Sequence, residues 1–406
     1  MKSKFAILFS ALTIACGMHA SAADVFLNFT GSSAFRSAAQ ATFKALLGGN
    51  STQIAYYVAG DNTAVTYDLA TTTIFKGTSS AYPGDVVYVR CLWQGSGAGI
   101  VAVANQTNLN LLTKDNTMST GTGTQVFDSP APTGGSVKIM ETGKGQWAFS
   151  DVSKALSTTP NAAFDGQSAP VGVQPFIYLL GQNNSLAGAT LYNKITNIST
   201  QTHNVLWSLG QLPASVFTGD AADSAYTALA SGRSQTSGTR LTCLSENKYG
   251  AFSPVQQYSA AVSGTFPNAT LGAITGPVAT GLSDNLAVHK LLVADASTMT
   301  YSGSPVGSAT FFVGYVDATE GVAAVSEGAK ALNFNGVPYT VDNVKNGRYT
   351  FWGYEQLYLI NGATAAMKTF DTSLRNGIVA NLPTNAIAIS AMNVQRSGGD
   401  GGAVAP

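Results

Sequence analysis

The chain is poor in charge. Only 10% of its 406 residues are Asp, Glu, Lys or Arg, against about 25% in an ordinary soluble domain. Lys and Arg number 21, and so do Asp and Glu, so there is no basic excess with which to hold a nucleic-acid backbone. Histidine and cysteine are scarce, three of each. His203, His289, Cys91 and Cys243 lie too far apart to match the spacing of a zinc site. Each of the two cysteines sits in an apolar stretch, which predicts two separate buried thiols and no bridge. Beyond the N-terminus no run approaches the length of a membrane span. Catalytic signatures are missing too. Ser96 follows Gln94 where a nucleophile elbow needs glycine. Gly95-x-Gly97 meets Ile100 where a dinucleotide fingerprint needs its third glycine, and there is no Walker A lysine.

Glycine, 43 residues of it, and the small polar residues fill the space that charge leaves. The N-terminus reads as an export signal. Basic Met1-Lys2-Ser3-Lys4 precedes an apolar run, Phe5 to Ala15, and then Ala20-Ser21-Ala22, a small-x-small cleavage pattern. Residues 1–22 are therefore set apart as a leader, which implies a periplasmic or extracellular protein. Lipid anchoring at Cys16 is a poorer reading, because Thr13 opens its box badly. Without Lys2 and Lys4 the chain has two more acidic than basic residues.

Strands and helices then alternate. Asp24 to Phe29 predicts a strand, and Thr30-Gly31-Ser32-Ser33 opens a helix with Phe35, Ala39, Phe43 and Leu46 on one face. Val86 to Trp93 is a nearly continuous apolar run, as in a buried parallel strand. It leads through Gln94-Gly95-Ser96-Gly97-Ala98-Gly99 to a helix start at Ile100. Residues 105–135, rich in Thr, Asn and Gly, are expected to be an exposed insertion or flap. Gln146 to Phe149 is a third strand, delivering Ser150-Asp151 at its end. Phe176 to Leu180 is a crossing strand into a second lobe. Ala222 to Ala230 is expected to be helical, Gly250 to Gly307 strands and turns, and Phe311 to Val316 a strand. Helices are expected over Ala323 to Leu332 and Ala363 to Asn376, with an aromatic strand, Tyr349 to Tyr354, between them. Gly398 to Pro406 is expected to fray.

One stretch organises the rest: Gly232-Arg233-Ser234-Gln235-Thr236-Ser237-Gly238-Thr239-Arg240. If a helix follows it, free backbone N–H groups and the positive dipole end face out of the turn. Arg233, a few residues earlier, can add two parallel charge-assisted bonds to an oxyanion. Three other strand–turn junctions offer the same chemistry: Thr30 to Phe35, Gly95 to Gly99 and Ser150-Asp151. In open α/β sheets such junctions gather a ligand off the carboxyl ends of the strands.

Taken in order, these motifs resemble those of the substrate-binding proteins of bacterial phosphate ABC importers. The matching residues are Gly31-Ser32-Ser33-Ala34-Phe35, Trp93-Gln94-Gly95-Ser96-Gly97-Ala98-Gly99, Ser150-Asp151 and Arg233-x-x-x-Ser237-Gly238-Thr239. The resemblance extends to Gly314-Tyr315-Val316 and Asn346-Gly347-Arg348-Tyr349, and so covers most of the chain. It implies an α/β, two-lobed periplasmic-binding-protein type II fold with a ligand cleft between the lobes. Lobe 1 would be residues 23–173 with the insertion at about 105–135. Lobe 2 would be 174–344, and 345–406 would return to lobe 1. It also implies inorganic phosphate as ligand, an ABC permease in the inner membrane as partner, a monomer, no cofactor, no metal and no catalysis.

Roles follow from the resemblance. The N–H groups of Ala34 and Phe35 would bond phosphate oxygens, with hydroxyls from Ser32 or Ser33 and from Ser96. Arg233 would neutralise charge, and Ser237, Gly238 and Thr239 would donate N–H and hydroxyl bonds. Asp151 would discriminate, because a carboxylate beside an anion repels it unless the ligand brings a proton. Hydrogen phosphate has one and sulfate at neutral pH does not. Ala34 departs from the family, which carries a hydroxyl there, and the 105–135 insertion is longer than the family needs.

Each residue alone has a plainer reading. Ser32, Ser33 or Ser96 would cap a helix, Asp151 would cap one through Val152 to Leu156, and Arg233 would be a surface cation or one half of an ion pair. Trp352 and Tyr354 read as core or hinge packing. Two other functions remain open: a secreted structural relative of the fold, or a binder of another oxyanion.

Overall fold

The structure, a computed structural model, describes residues 22–59 and 66–406. All but the last residue of the expected leader, Cys16 included, lies outside the described residues. The chain is a mixed α/β protein built on one 14-stranded sheet.

The elements that place the site are these. Strand β1 (Asp24–Gly31) feeds helix α1 (Arg36–Leu46). Strands β2 (Gln53–Tyr57), β3 (Thr72–Ser79) and β4 (Tyr82–Leu92) follow, and β4 feeds α2 (Ser96–Ala104). After β5 (Trp147–Ser150) comes the long β6 (Ala169–Leu180). Then β7 (Thr227–Ala230) leads to α3 (Gly238–Glu246), and α4 (Asn285–Val293) stands before β8 (Thr310–Asp317). Helix α5 (Ala318–Ser326), β9 (Trp352–Leu359) and α6 (Ala365–Ala380) complete the set.

The order across the sheet is β7-β8-β6-β9-β5-β1-β4-β3-β2, with short strands at both edges. β1 runs parallel to β4 and β5, and β7 parallel to β8. β6 and β9 stand between these sets, antiparallel to each other and to the strands they meet. The register fixes where the sets stop. Ser150 at the end of β5 lies opposite Gln356, and Asp317 at the end of β8 lies opposite Phe176. Both sets of carboxyl ends therefore halt on either side of Gly172–Pro175. Two large apolar cores flank this line. One gathers Phe29, Phe35, Phe43, Trp147 and Phe370, the other Tyr178, Trp207, Tyr315, Phe351 and Trp352. Trp352 is thus core, with the Arg396 guanidinium over its ring. Both cysteines are buried and free.

Five expectations are corrected. Gly250 to Gly307 is not all strands and turns, since the Gly- and Pro-free run Asn285–Val293, capped by Asp284, is helix α4. Residues 105–135 are not a structureless flap: Asn108–Leu112 pairs with Met140–Lys144, and Thr124–Phe127 extends the sheet beside β2. Leu109, Leu111, Leu112 and Val126 are buried there, an alternation that the Thr/Gly-rich composition obscured. Of Ala222 to Ala230, only Ala221–Ala225 is helical, as a 3₁₀ turn. The rest is strand, because pairing along β8 outweighs the helix propensity of alanine. The expected helix Ala323 to Leu332 lies earlier, at α5, and Lys330–Phe334 is a strand on β6. The C-terminus is tied down. Asp400 accepts from the N–H and hydroxyl of Ser153, at 2.8 and 2.6 Å, while Arg396 pairs with Glu246.

Candidate functional site

The carboxyl ends that face each other across β6 and β9 enclose a small cavity. Its walls are Ser32, Ser33, Gly95, Ser96, Asp151, Arg233, Ser237, Gly238, Thr239 and Asn285. Eight of the ten expected site residues are among them. Ala34 and Phe35 are not: the Ala34 N–H donates to Ser32 Oγ at 3.1 Å, and the Phe35 ring is buried in the core.

Local chemistry explains the convergence. Gly31 ends β1 with φ +116°, and a Cβ there would lie 2.0 Å from the Phe149 carbonyl oxygen. Only glycine lets β1 turn that close to β5. Ser237 caps α3, its hydroxyl accepting from the Arg240 N–H. Asp284 caps α4 through the Ala287 N–H at 2.8 Å. The N-terminal turns of α2, α3 and α4 thus open on one cavity, whose wall Ser32 and Ser33 complete, and the three dipoles add positive potential to it.

Arg233 is the charge at the centre. Its Nη1 donates to Asn285 Oδ1 and, at 3.4 Å, to Thr239 Oγ1; its Nη2 donates to the Ser283 carbonyl at 3.0 Å. Its Nε is buried without a partner among the described residues. The readings of Arg233 as a surface cation or one half of an ion pair fail, since it is buried and makes no salt bridge among the described residues. Burial works against its charge, and Asp284, Asp151 and Asp317 support it.

Asp151 faces the guanidinium. Its Oδ1 accepts from the Ser96 hydroxyl and its Oδ2 from Thr239 Oγ1 at 3.3 Å. Burial raises its pKa, and the Ser96 bond and Arg233 oppose that rise. It caps no helix, because the chain after it holds only a 3₁₀ turn, Lys154–Leu156, that starts from Ser153. Gly238 is the fit between the two halves of the site. A Cβ on it would lie 1.6 Å from Asp151 Oδ1 and 2.3 Å from Ser96 Oγ.

Sequence reasoning missed Asn285. Its ring of partners is Arg233 on one side and Asp317 on the other, to which its Nδ2 donates. The signal was present in Ser283-Asp284, a capping residue before nine residues free of Gly and Pro. It also missed Glu355, on β9 opposite Gly172. Glu355 is fully buried, and neither of its oxygens is bonded by a described residue. Burial, then the Asp151 and Asp317 carboxylates, push its pKa well above the usual range. Burial likewise raises Asp317 to about 6.

The cavity has about 10 Å³ of room, the space of one water-sized body. Its walls are drawn in, since Ser96 and Thr239 spend their hydroxyl protons on Asp151. The arrangement can grip one small anion and nothing as large as a sugar or peptide.

No family model matches the chain, and no curated protein matches it. Solved structures do resemble it. A putative phosphate ABC transporter substrate-binding protein with bound phosphate from Clostridium perfringens shares 12% identity at a TM-score of 0.46, over 90% of this chain and 99% of that one. An ABC-type phosphate transport receptor from Vibrio cholerae gives 13% and 0.43, over 89% and 99%. PstS from Borrelia burgdorferi gives 11% and 0.37, over 90% and 98%.

Proposed function

We propose that the chain is an exported solute-binding protein that captures hydrogen phosphate and presents it to an ABC permease. The observation that carries this is the pairing of a buried arginine with a buried carboxylate among three helix N-termini. Cations and N-termini alone would suit any oxyanion. Asp151 changes the requirement, because its lone pairs must meet a donor or repel the ligand.

Binding is then an exchange. The entering anion parts the walls and takes over the Ser96 and Thr239 hydroxyls and the Arg233 fork, and its own P–OH donates to Asp151. Sulfate at neutral pH has no proton to give. Sites built to bond a ligand's proton reject analogues lacking it by about 10⁴.

Three further parts belong to the same proposal. Residues 23–173 and 174–344 form two lobes, with 345–406 returning to the first, and β6 and β9 are the strands about which they close. The protein is periplasmic or extracellular, and it works as a monomer. In this reading it binds and does not catalyse.

Calorimetric titration of chain stripped of anion by unfolding and refolding tests the reading. Tight phosphate binding with weak sulfate binding is expected. Binding of neither would leave the four junctions as helix caps and favour a secreted structural role.

A further inference from the structure

The anion cavity adjoins a second space. Ser33 and Asn285, which line it, also line a chamber of about 610 Å³, within the roughly 300–1,000 Å³ range of small-molecule pockets. Asp317, which holds Asn285, lines the same chamber. A bare ion needs no such room.

The chamber's chemistry narrows what could fill it. Arg36 and Lys290 supply donors, and Asp284 and Glu320 supply acceptors around the half-exposed ring of Phe266. Arg36 makes one long bond, Nη1 to the Ala70 carbonyl at 3.4 Å, and its Nε is buried without a partner among the described residues. An apolar tail would strip water from Arg36, Lys290, Asp284, Asp317 and Glu320 and return no hydrogen bonds. An amine tail would face two cations. A hydroxyl both donates and accepts, so a hydroxylated skeleton meets carboxylates and cations alike, with its C–H face on Phe266.

We infer that the site takes a phosphomonoester of a polyol or sugar, with the phosphoryl group in the anion cavity and the ester oxygen leading out between Ser33 and Asn285. This rests on the oxyanion reading of the cavity. The monoanion of such an ester, the main form below its second pKa of about 6, carries the P–OH that Asp151 requires, so the titrations belong at about pH 5.5.

The test is titration of the anion-stripped full chain with inorganic phosphate, glycerol 3-phosphate, glucose 6-phosphate and glucose. At least one ester is expected to bind about tenfold more tightly than phosphate, with no binding of glucose. Phe266→Ala should cost that ester about tenfold more affinity than it costs phosphate, a split that a general loss of folding would not produce. Phosphate binding with neither ester tighter would overturn the inference and leave the oxyanion reading standing. Binding of no phosphate compound at all would overturn both.

Discussion

Two buried polar clusters in this molecule carry the ingredients of a site, and only one is arranged as one. The first is the cavity around Arg233 and Asp151. The second lies in the core beside β6, where the Tyr178 hydroxyl meets His203 Nδ1 at 3.0 Å and Cys243 Sγ at 3.1 Å and accepts from Asn247 Nδ2 at 2.7 Å. A Cys–His–Asn set invites a catalytic reading. Yet burial lowers the His203 pKa to about 3 and raises that of Cys243 well above the usual thiol value. The imidazole is neutral and the thiol protonated, the reverse of an activated pair. His203 stacks on Trp207 at 4.3 Å, and its Nε2 and Asn247 Oδ1 are buried in the core without a partner among the described residues. In the cavity, by contrast, charges of both signs and three helix N-termini face shared space. Unpaired polar atoms do not separate the two clusters; charge facing a shared cavity does.

The sharpest break in that comparison is at Arg233. Arg233→Ala removes the only guanidinium on the cavity wall and leaves the carboxyl of Asp151 unopposed. Phosphate affinity is expected to fall by about 10³ or more, as for a buried charge partner removed. Calorimetry on the folded variant measures this, and a loss under tenfold would move the anion site elsewhere.

Asp151→Ala comes next, and it changes selectivity more than affinity. The preference for phosphate over sulfate is expected to drop by about 100-fold or more, chiefly through tighter sulfate binding. An unchanged ratio would mean that Asp151 is a structural acceptor for Ser96 and Thr239 and takes no proton from the ligand.

How much of this was legible follows the same division. Junctions made of an apolar strand and a Gly/Ser turn declared themselves, because backbone sterics and capping are local rules. That is why Ser32, Ser96, Ser237 and Gly238 could be chosen from sequence. Asn285 and Glu355 could not. Their meaning comes from the strand order, which brings α4 and the middle of β9 to a line 50 to 120 residues away in sequence from Arg233. The strands within 105–135 and the β7 strand were hidden for a related reason: partners across the sheet, not composition, decide them.

Glu355 sharpens the comparison from the stability side, with a smaller effect. An acid whose folded pKa is raised stays protonated in the fold while it ionises in the unfolded chain. Its contribution to stability is therefore lost as pH rises above the ordinary carboxylate range, until the folded group itself ionises. Glu355→Gln keeps the shape and removes the ionisation. Its unfolding free energy is expected to exceed that of the parent by about 1 kcal/mol or more at pH 8 and to match it near pH 4. Denaturant unfolding at the two pH values measures this, and equal differences at both would show that Glu355 ionises normally.

The smallest effect on binding is expected in the second cluster. Cys243→Ala removes a partner of the Tyr178 hydroxyl and a buried sulfur, so stability should fall by about 1–3 kcal/mol. Phosphate affinity should change less than twofold, because Cys243 sits on the core side of α3, while Gly238 and Thr239 of the same helix face the cavity. Unfolding and titration of one variant read both numbers. A large affinity loss alongside a small stability loss would mean that α3 transmits strain from core to cavity, and that the two clusters work as one.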